Sequence, residues 1–189
     1  MADRETPDSK KAVYTLGKAI AANRKRPPEP ELLKFLHSDI GSGWRLRKDR
    51  LSFFRTYLVL NSIYYVSEEN ILDLDLSAEA VMVPYEHITG SSDQKRIQFL
   101  FVKYENNGRA RKALSHFHDA YLPEHKKKHM ADSDAKNPNL FKLEDGWLAY
   151  KRLGKYIVIV FESPDQESAR EIIQKNGSNL LEKGGYHER

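Results

Sequence analysis

The sequence predicts a single α+β domain in which helices pack on one face of a mostly antiparallel sheet. Two segments carry the prediction because each has an apolar strand, a polar cap and a helix in the same order: residues 99–121 and residues 156–173. Trp147 to Arg152 and the following strand form a predicted hairpin, with Gly154 free to take the positive φ of a tight turn. The length of 189 residues favours one hydrophobic core.

The N-terminal part differs in composition from the rest of the chain. We expect residues 1–28 to be a flexible segment with a short amphipathic helix at 11–23, ended by the prolines that follow it. Residues 29–183 then form the domain, and residues 184–189 form a flexible tail. A second short helix is predicted at 31–36.

After Trp44 the apolar spacing changes from helical to alternating. Strands are predicted at 51–60, 63–66, 71–76 and 80–83 because these stretches are rich in branched and aromatic residues. The expected core comprises large apolar residues of the predicted strands and helices: Trp44, Phe53, Tyr57, Leu58, Leu60, Phe99, Phe101, Leu114, Phe117, Trp147, Ile157, Ile159, Phe161, Ile172 and Ile173.

The second strand-to-helix unit contains an apparent helix start. Ser163 is the predicted N-cap, Pro164 suits the first turn, and Gln166 is placed to complete a capping box. The apolar stripes of the two C-terminal helices are expected to face the same side of the sheet. Residues 123–139 are polar and charged and form the predicted mobile loop.

Composition excludes several functional classes. The absence of cysteine removes disulfides, thiolate nucleophiles and Cys-ligated zinc. The longest apolar run, residues 156–161, is far shorter than the ~20 residues that span a bilayer, so we expect a soluble protein. The net charge of +4 is a weak indication of nucleic-acid binding. Residues 1–11 lack the apolar stretch of a secretory signal.

Several short motifs resemble a known family. The stretch 102–105, the Ala-rich helix after it, Gly146-Trp147 and Gly154-Lys155-Tyr156 are similar to a family of uncharacterised bacterial proteins of unknown function, many of them exported or lipid-anchored. The resemblance covers residues 99–173 and implies the fold and a periplasmic or cell-envelope location. The Gly-rich segment of that family's N-terminal half has no counterpart here, and no catalytic residue is implied.

Histidines and carboxylates define two weak chemical hypotheses. His116 and His118 lie two residues apart on a predicted helix and point to different faces, and His125 and His129 fall in a Lys-rich loop, so we predict no metal site. A group of acidic residues with one histidine defines a possible hydrolase site: Asp73, Asp75, Glu79, Glu86 and His87. A solvated strand face gives the same pattern, and no nucleophile accompanies it.

The stretch 45–57 has the densest mixture of cations and aromatic residues. Arg45 and Arg47 could contact phosphates and Phe53, Phe54 and Tyr57 could stack on bases, which makes nucleic-acid binding the first alternative function. The competing interpretation is an amphipathic strand pair with its arginines in water.

The favoured hypothesis is a non-catalytic binding or accessory domain without a cofactor, whose partner is a protein or a small ligand. Helices on one face would leave the other face of the sheet for that partner, together with the loop at residues 123–139. Trp44 and Trp147, if exposed there, are the expected anchors, with Arg45 and Arg47 beside them.

Overall fold

A computed structural model describes residues 7–23, 29–88, 95–128 and 137–184. The four helices are α1 (Pro7–Asn23), α2 (Tyr57–Ile63), α3 (Asn107–Tyr121) and α4 (Gln166–Gly184). The eight strands are β1 (Asp39–Gly41), β2 (Trp44–Leu46), β3 (Ser52–Phe54), β4 (Glu79–His87), β5 (Arg96–Lys103), β6 (Asn139–Leu143), β7 (Gly146–Leu153) and β8 (Tyr156–Ser163). Short 3-10 helices occupy Glu31–Phe35, Lys48–Arg50 and Pro123–Lys128.

The eight strands of the described residues form one sheet, seven of them in the order β1-β2-β4-β5-β8-β7-β6 with β3 beside β4, and every pairing is antiparallel. Strands β2 and β3 both pair with β4, β2 near its C-terminal end and β3 near its N-terminal end. The predicted α+β class and antiparallel sheet are confirmed, and so is the hairpin of β7 and β8, with Gly154 at φ +59°. Among the described residues, no helix combines the length and the apolar composition needed to cross a membrane.

The sheet is covered on both faces, so the prediction that the helices share one face is wrong. Ile157 and Ile159 of β8 pack with α3, whereas Val158 and Val160 pack with α4. Successive side chains of a strand point to opposite faces, so α3 and α4 lie on opposite sides of the sheet. The physical reason is that β8 is apolar at every position from 156 to 161, and a strand of that kind needs a cover on each face.

A buried hydrogen-bond network holds α4 against the sheet. The Tyr85 hydroxyl donates to the His37 carbonyl at 2.9 Å and accepts from Asn176 Nδ2 at 3.1 Å. Asn176 Oδ1 accepts from the His37 backbone N–H at 3.0 Å, and Asn179 Nδ2 donates to the Phe35 carbonyl at 3.1 Å. These bonds connect β4, α4 and the segment before β1, and they satisfy polar groups that burial removes from water.

The start of α4 differs from the prediction. Asp165, not Ser163, is the N-cap: its Oδ1 accepts from the Ser168 backbone N–H at 2.7 Å. The Ser163 hydroxyl instead donates to the Asp165 carbonyl at 2.8 Å. The predicted cap was two residues early because the strand continues to Ser163. At the other unit, Asn106 caps α3 by accepting from the Arg109 N–H at 3.0 Å.

Most of the strands predicted between residues 51 and 76 are absent. Only Ser52–Phe54 is a strand within 51–60, and α2 begins three residues later. Residues 64–78 are irregular and are held by side chains, as where Asn70 bonds both the N–H and the carbonyl of Leu74 at 2.9 Å. Asparagine side chains that bond nearby backbone compete with strand ladders. The prediction for 80–83 is confirmed within β4.

Eleven of the fifteen predicted core residues are buried, and Tyr57 and Trp147 are half-buried. Phe53 and Leu58 are exposed, because the stretch that contains them is not one continuous strand. The predicted helix at 11–23 is confirmed as part of α1. The other predicted flexible regions lie wholly or partly outside the described residues.

Phe117→Ala should lower the free energy of unfolding by about 3–5 kcal/mol, because Phe117 is fully buried on the α3 side and removal of its ring leaves a cavity. Leu58→Ala should change it by about 0.5 kcal/mol or less, because Leu58 is 66% exposed. Urea denaturation of both variants measures the difference. Equal losses would contradict the placement of these side chains.

Stability should also fall at high pH. Burial raises the pKa of Tyr85, Tyr104 and Tyr150 far above the ordinary value, and burial with Asp145 and Glu162 nearby raises the pKa of Tyr121 to about 12. These hydroxyls stay protonated in the folded chain while the unfolded chain ionises near pH ~10, so stability is lost as the pH rises from there through the folded pKa values.

Denaturation midpoints measured from neutral pH to about pH 11 test this expectation. Tyr104→Phe, which removes one buried hydroxyl, should make the alkaline fall shallower. Midpoints that stay flat above pH ~10 would contradict it.

Candidate functional site

Glu86, near the C-terminal end of β4, is a buried carboxylate surrounded by arginines. It is 4% exposed. Its Oε1 lies 3.3 Å from Arg50 Nη1 and 3.2 Å from Arg96 Nη2, and its Oε2 accepts a hydrogen bond from Arg47 Nη1. Three guanidinium groups therefore converge on one carboxylate, and together with Arg45 we call this set the arginine cluster.

The register of the sheet assembles the cluster. Arg45 of β2 and Arg96 of β5 are both paired with Glu86 of β4, so the three residues form a row across neighbouring strands on one face. Arg47 follows β2 and is fixed by its N–H, which donates to the Pro84 carbonyl at 3.0 Å. Arg50 is carried by the 3-10 helix Lys48–Arg50.

Alternation along β2 separates this row from the core. Trp44 and Leu46 are buried on the α4 side, so Arg45 between them points to the opposite face, where it is exposed. On that face of β4, Ala80 and Met82 belong to the apolar core shared with α3, whereas Glu86 lies beyond it. The sequence prediction of an amphipathic strand with arginines in water therefore describes β2 correctly.

The cluster carries excess positive charge. Its four arginines face three carboxylates, Glu86, Asp49 and Asp39, the last paired with Arg45 across β1 and β2, which leaves a surplus of one. Arg47 donates to Asp49 through Nε at 3.0 Å and Nη2 at 2.9 Å. The hydrogen bonds that Arg47 donates to Asp49 and to Glu86, with the Asp49 bonds the larger cause, raise the pKa of Arg47, and the same bonds from Arg47 lower the pKa of Asp49. Both groups of this pair therefore remain charged at neutral pH.

The aromatic residues predicted to stack on bases do not join the cluster. Phe54 is buried in the core on the α3 side, and Tyr57 is half-buried against the same core. Phe53 is 38% exposed, but it pairs with Val81 near the other end of β4 and contacts Arg55. The cluster is thus a set of cations without the aromatic platform that the sequence predicted.

Neither tryptophan lies on an uncovered face of the sheet, so that expectation is wrong. Trp44 is 2% exposed, its Nε1 donates to Ser168 Oγ at 3.1 Å, and its ring meets the edge of His87. Trp147 is half-buried on the same side, with Lys142 Nζ 5.9 Å from its ring centre. Both tryptophans are packed on the α4 side because that face is also covered.

The residues of the hypothetical hydrolase site are dispersed. Asp75 contacts Ser77 and Arg109, and Glu79 contacts Arg55 and Lys103. Glu79 and Glu86 stand seven residues apart on one strand, a separation of roughly 23 Å. His87 Nε2 instead lies 3.0 Å from the Ser42 carbonyl. These side chains do not form one pocket.

Asp73 and His116 make a pair that the sequence did not indicate. His116 Nδ1 lies 2.9 Å from Asp73 Oδ1, and Asp73 has a positive φ of 46°. In the described part of the chain, the hydrogen-bond partner of the His116 imidazole is the Asp73 carboxylate. A catalytic histidine for hydrolysis also needs a nucleophile in contact with the imidazole. Because 43 residues separate the two, no local pattern could have revealed the pair.

His118 serves packing. His118 is buried; Nδ1 contacts the Tyr150 hydroxyl and Nε2 contacts the His125 carbonyl at 3.2 Å. His118 thereby ties the 3-10 helix after α3 to β7. Among the described residues, no group of three or more histidines and carboxylates could hold a metal ion. His129 lies outside the described residues.

An open groove of about 700 Å³ lies between the end of α3 and the hairpin of β6 and β7. Its charged lining is mainly acidic, with Glu124, Glu144 and Asp145 against Lys142. Nearby Glu162 has a positive φ of 58°, at the irregular pairing of β7 with β8. Pro123, Glu124 and His125 of the predicted contact loop 123–139 line part of this groove, whose charge is opposite to that of the arginine cluster.

The sequence matches no family model, and no curated protein and no solved structure is significantly similar to it. The family resemblance of residues 99–173 therefore stays a prediction. The function must be argued from the geometry of the chain itself.

Glu86→Gln should destabilise the fold by about 1–3 kcal/mol at low salt, because it removes the negative charge that pairs with three arginines. Added salt should recover part of the loss by screening the arginines from one another. Asp49→Asn is the control. Because Asp49 is well exposed, this variant should lose less than ~1 kcal/mol of folding stability. Thermal denaturation at two salt concentrations measures both, and a salt-independent loss for Glu86→Gln would contradict the expectation.

Proposed function

We propose that this chain is a non-catalytic binding module whose arginine cluster takes a phosphate-bearing polyanion. The observation that carries the proposal is the convergence of Arg47, Arg50 and Arg96 on the buried Glu86. A single carboxylate holds the three cations side by side without cancelling their charge.

The geometry of the cluster suits phosphate. A guanidinium group presents a planar fork of donors that matches phosphate oxygens. Arg50 and Arg96 each contact Glu86 through one terminal nitrogen, which leaves further donors on each fork for a second acceptor. Both side chains are nearly half exposed. Because Glu86 already restricts their motion, less side-chain entropy is lost when a ligand binds.

Nucleic acid is the polyanion that we favour. Its phosphates are regularly spaced along one strand, and the row of Arg45 and Arg96 across β2, β4 and β5 offers cations along one direction. Contacts of this type position a backbone and carry no base specificity. The exposed Lys48 and Lys95 lie next to cluster residues in sequence and extend the positive surface. We therefore expect binding that depends strongly on salt and weakly on sequence.

A bacterial cell-envelope setting belongs to the same proposal. Its support is the resemblance of residues 99–173 to a family with many exported members. In that setting an acidic protein or envelope polymer would occupy the cluster in place of nucleic acid. Hydrolysis is a weaker alternative, supported by the Asp73–His116 pair alone.

Titration of the chain against labelled single-stranded and duplex oligonucleotides, followed by fluorescence anisotropy at two salt concentrations, tests the proposal. Binding should weaken steeply with added salt. Arg45→Gln with Arg96→Gln should weaken it about tenfold at low salt and reduce the salt dependence.

The matched control is Arg55→Gln with Arg109→Gln. Arg55 and Arg109 are similarly exposed and pair with Glu79 and Asp75. Their substitution removes the same charge from a different part of the surface. Equal weakening by both double variants would mean that net charge alone drives binding. No binding at low salt, or no effect of the cluster variants, would contradict the proposal.

A further inference from the structure

Helix α1 has an apolar stripe that the described chain does not cover. All of its described side chains, residues 10–18, are exposed. Val13 is 71% exposed and Leu16 is 63% exposed. Exposed apolar side chains that adjoin one another and are bordered by polar residues are typical of an interaction site, so α1 has the character of an interaction element.

Helical geometry gives α1 two distinct sides. At 100° per residue, Ala12, Val13 and Leu16 fall on one side of the helix. Lys11 and Lys18, seven residues apart, lie together on the opposite side with Thr15. Tyr14 lies on the same side as the lysines, with Lys18 Nζ 5.3 Å from its ring centre.

The charge of the segment identifies the partner. Residues 7–23 contain three lysines and one aspartate, a surplus of two positive charges, and the sequence continues with Arg24-Lys25-Arg26. A narrow apolar stripe opposite a polar side that carries lysines, in a segment of low overall hydrophobicity, is typical of helices that lie in the interface of a bilayer. Cations on that polar side favour anionic headgroups.

We propose that α1 binds membrane surfaces that contain anionic lipids, lying parallel to the bilayer with Val13 and Leu16 inserted. This activity is separate from the arginine cluster, because the residues that carry it belong to different elements. α1 is among the helices that are not long and apolar enough to span a membrane, so the mode is adsorption.

Sedimentation of the full chain with vesicles tests the proposal. The chain should sediment with vesicles of phosphatidylglycerol and phosphatidylcholine at low salt, and much less with phosphatidylcholine alone. Leu16→Asp should lower the affinity for these vesicles more than tenfold, since it loses one inserted leucine and also adds a negative charge. Thr15→Asp adds the same charge at the neighbouring, polar position and should lower the affinity only about fivefold or less.

Two further measurements separate this proposal from the previous one. The double variant Arg45→Gln with Arg96→Gln should sediment with anionic vesicles to the same extent as the original chain. The Leu16→Asp variant should keep the affinity of the original chain for oligonucleotides. Absence of sedimentation, or equal sedimentation of the two Asp variants, would overturn lipid binding. Self-association in solution that Leu16→Asp abolishes would also overturn it, because a second copy would then cover the stripe.

Discussion

The fold depends on three adjacent strands, β4, β5 and β8, that are apolar on both faces. Val81, Phe101 and Val158 belong to one core, and their neighbours Met82, Leu100 and Ile159 belong to the other. Burial of apolar surface drives folding, so a sheet of this kind is stable only when both faces are removed from water. The chain provides two covers, one made of α3 with residues 57–78 and the other made of α4 with residues 31–36.

The arginine cluster lies where one of these covers ends. On the α3 side of β4 the apolar core includes Met82 but not Glu86, whose carboxylate forms ion pairs with three arginines. The long stems of Arg47, Arg50 and Arg96 can shield a carboxylate while their charged ends remain in water. A buried acid and an exposed basic surface thus arise from the same contacts, which links the stability of this corner of the sheet to its charge.

Local patterns predicted the elements whose determinants are close together in sequence. The hairpin around Gly154 and the helices after residues 106 and 163 depend on neighbouring residues, and they were found. The side of the sheet that each helix covers depends on packing between distant segments, whereas the unbroken apolar run of β8 is a local pattern that indicates cover on both faces. For the site, the sequence indicated Arg45 and Arg47, whose density is local. Their assembly with Arg96 required the register of β2, β4 and β5.

Because buried and exposed side chains alternate along β2, a substitution on its exposed face can change the charge of the surface without changing the core. Trp44 and Leu46 face one core, and the intervening Arg45 faces water, with one residue between successive anchors. Position 45 can therefore change sign or size while the anchors keep the strand in register. The same scaffold could evolve, or be engineered, toward ligands of the opposite charge through substitutions that leave its packing intact.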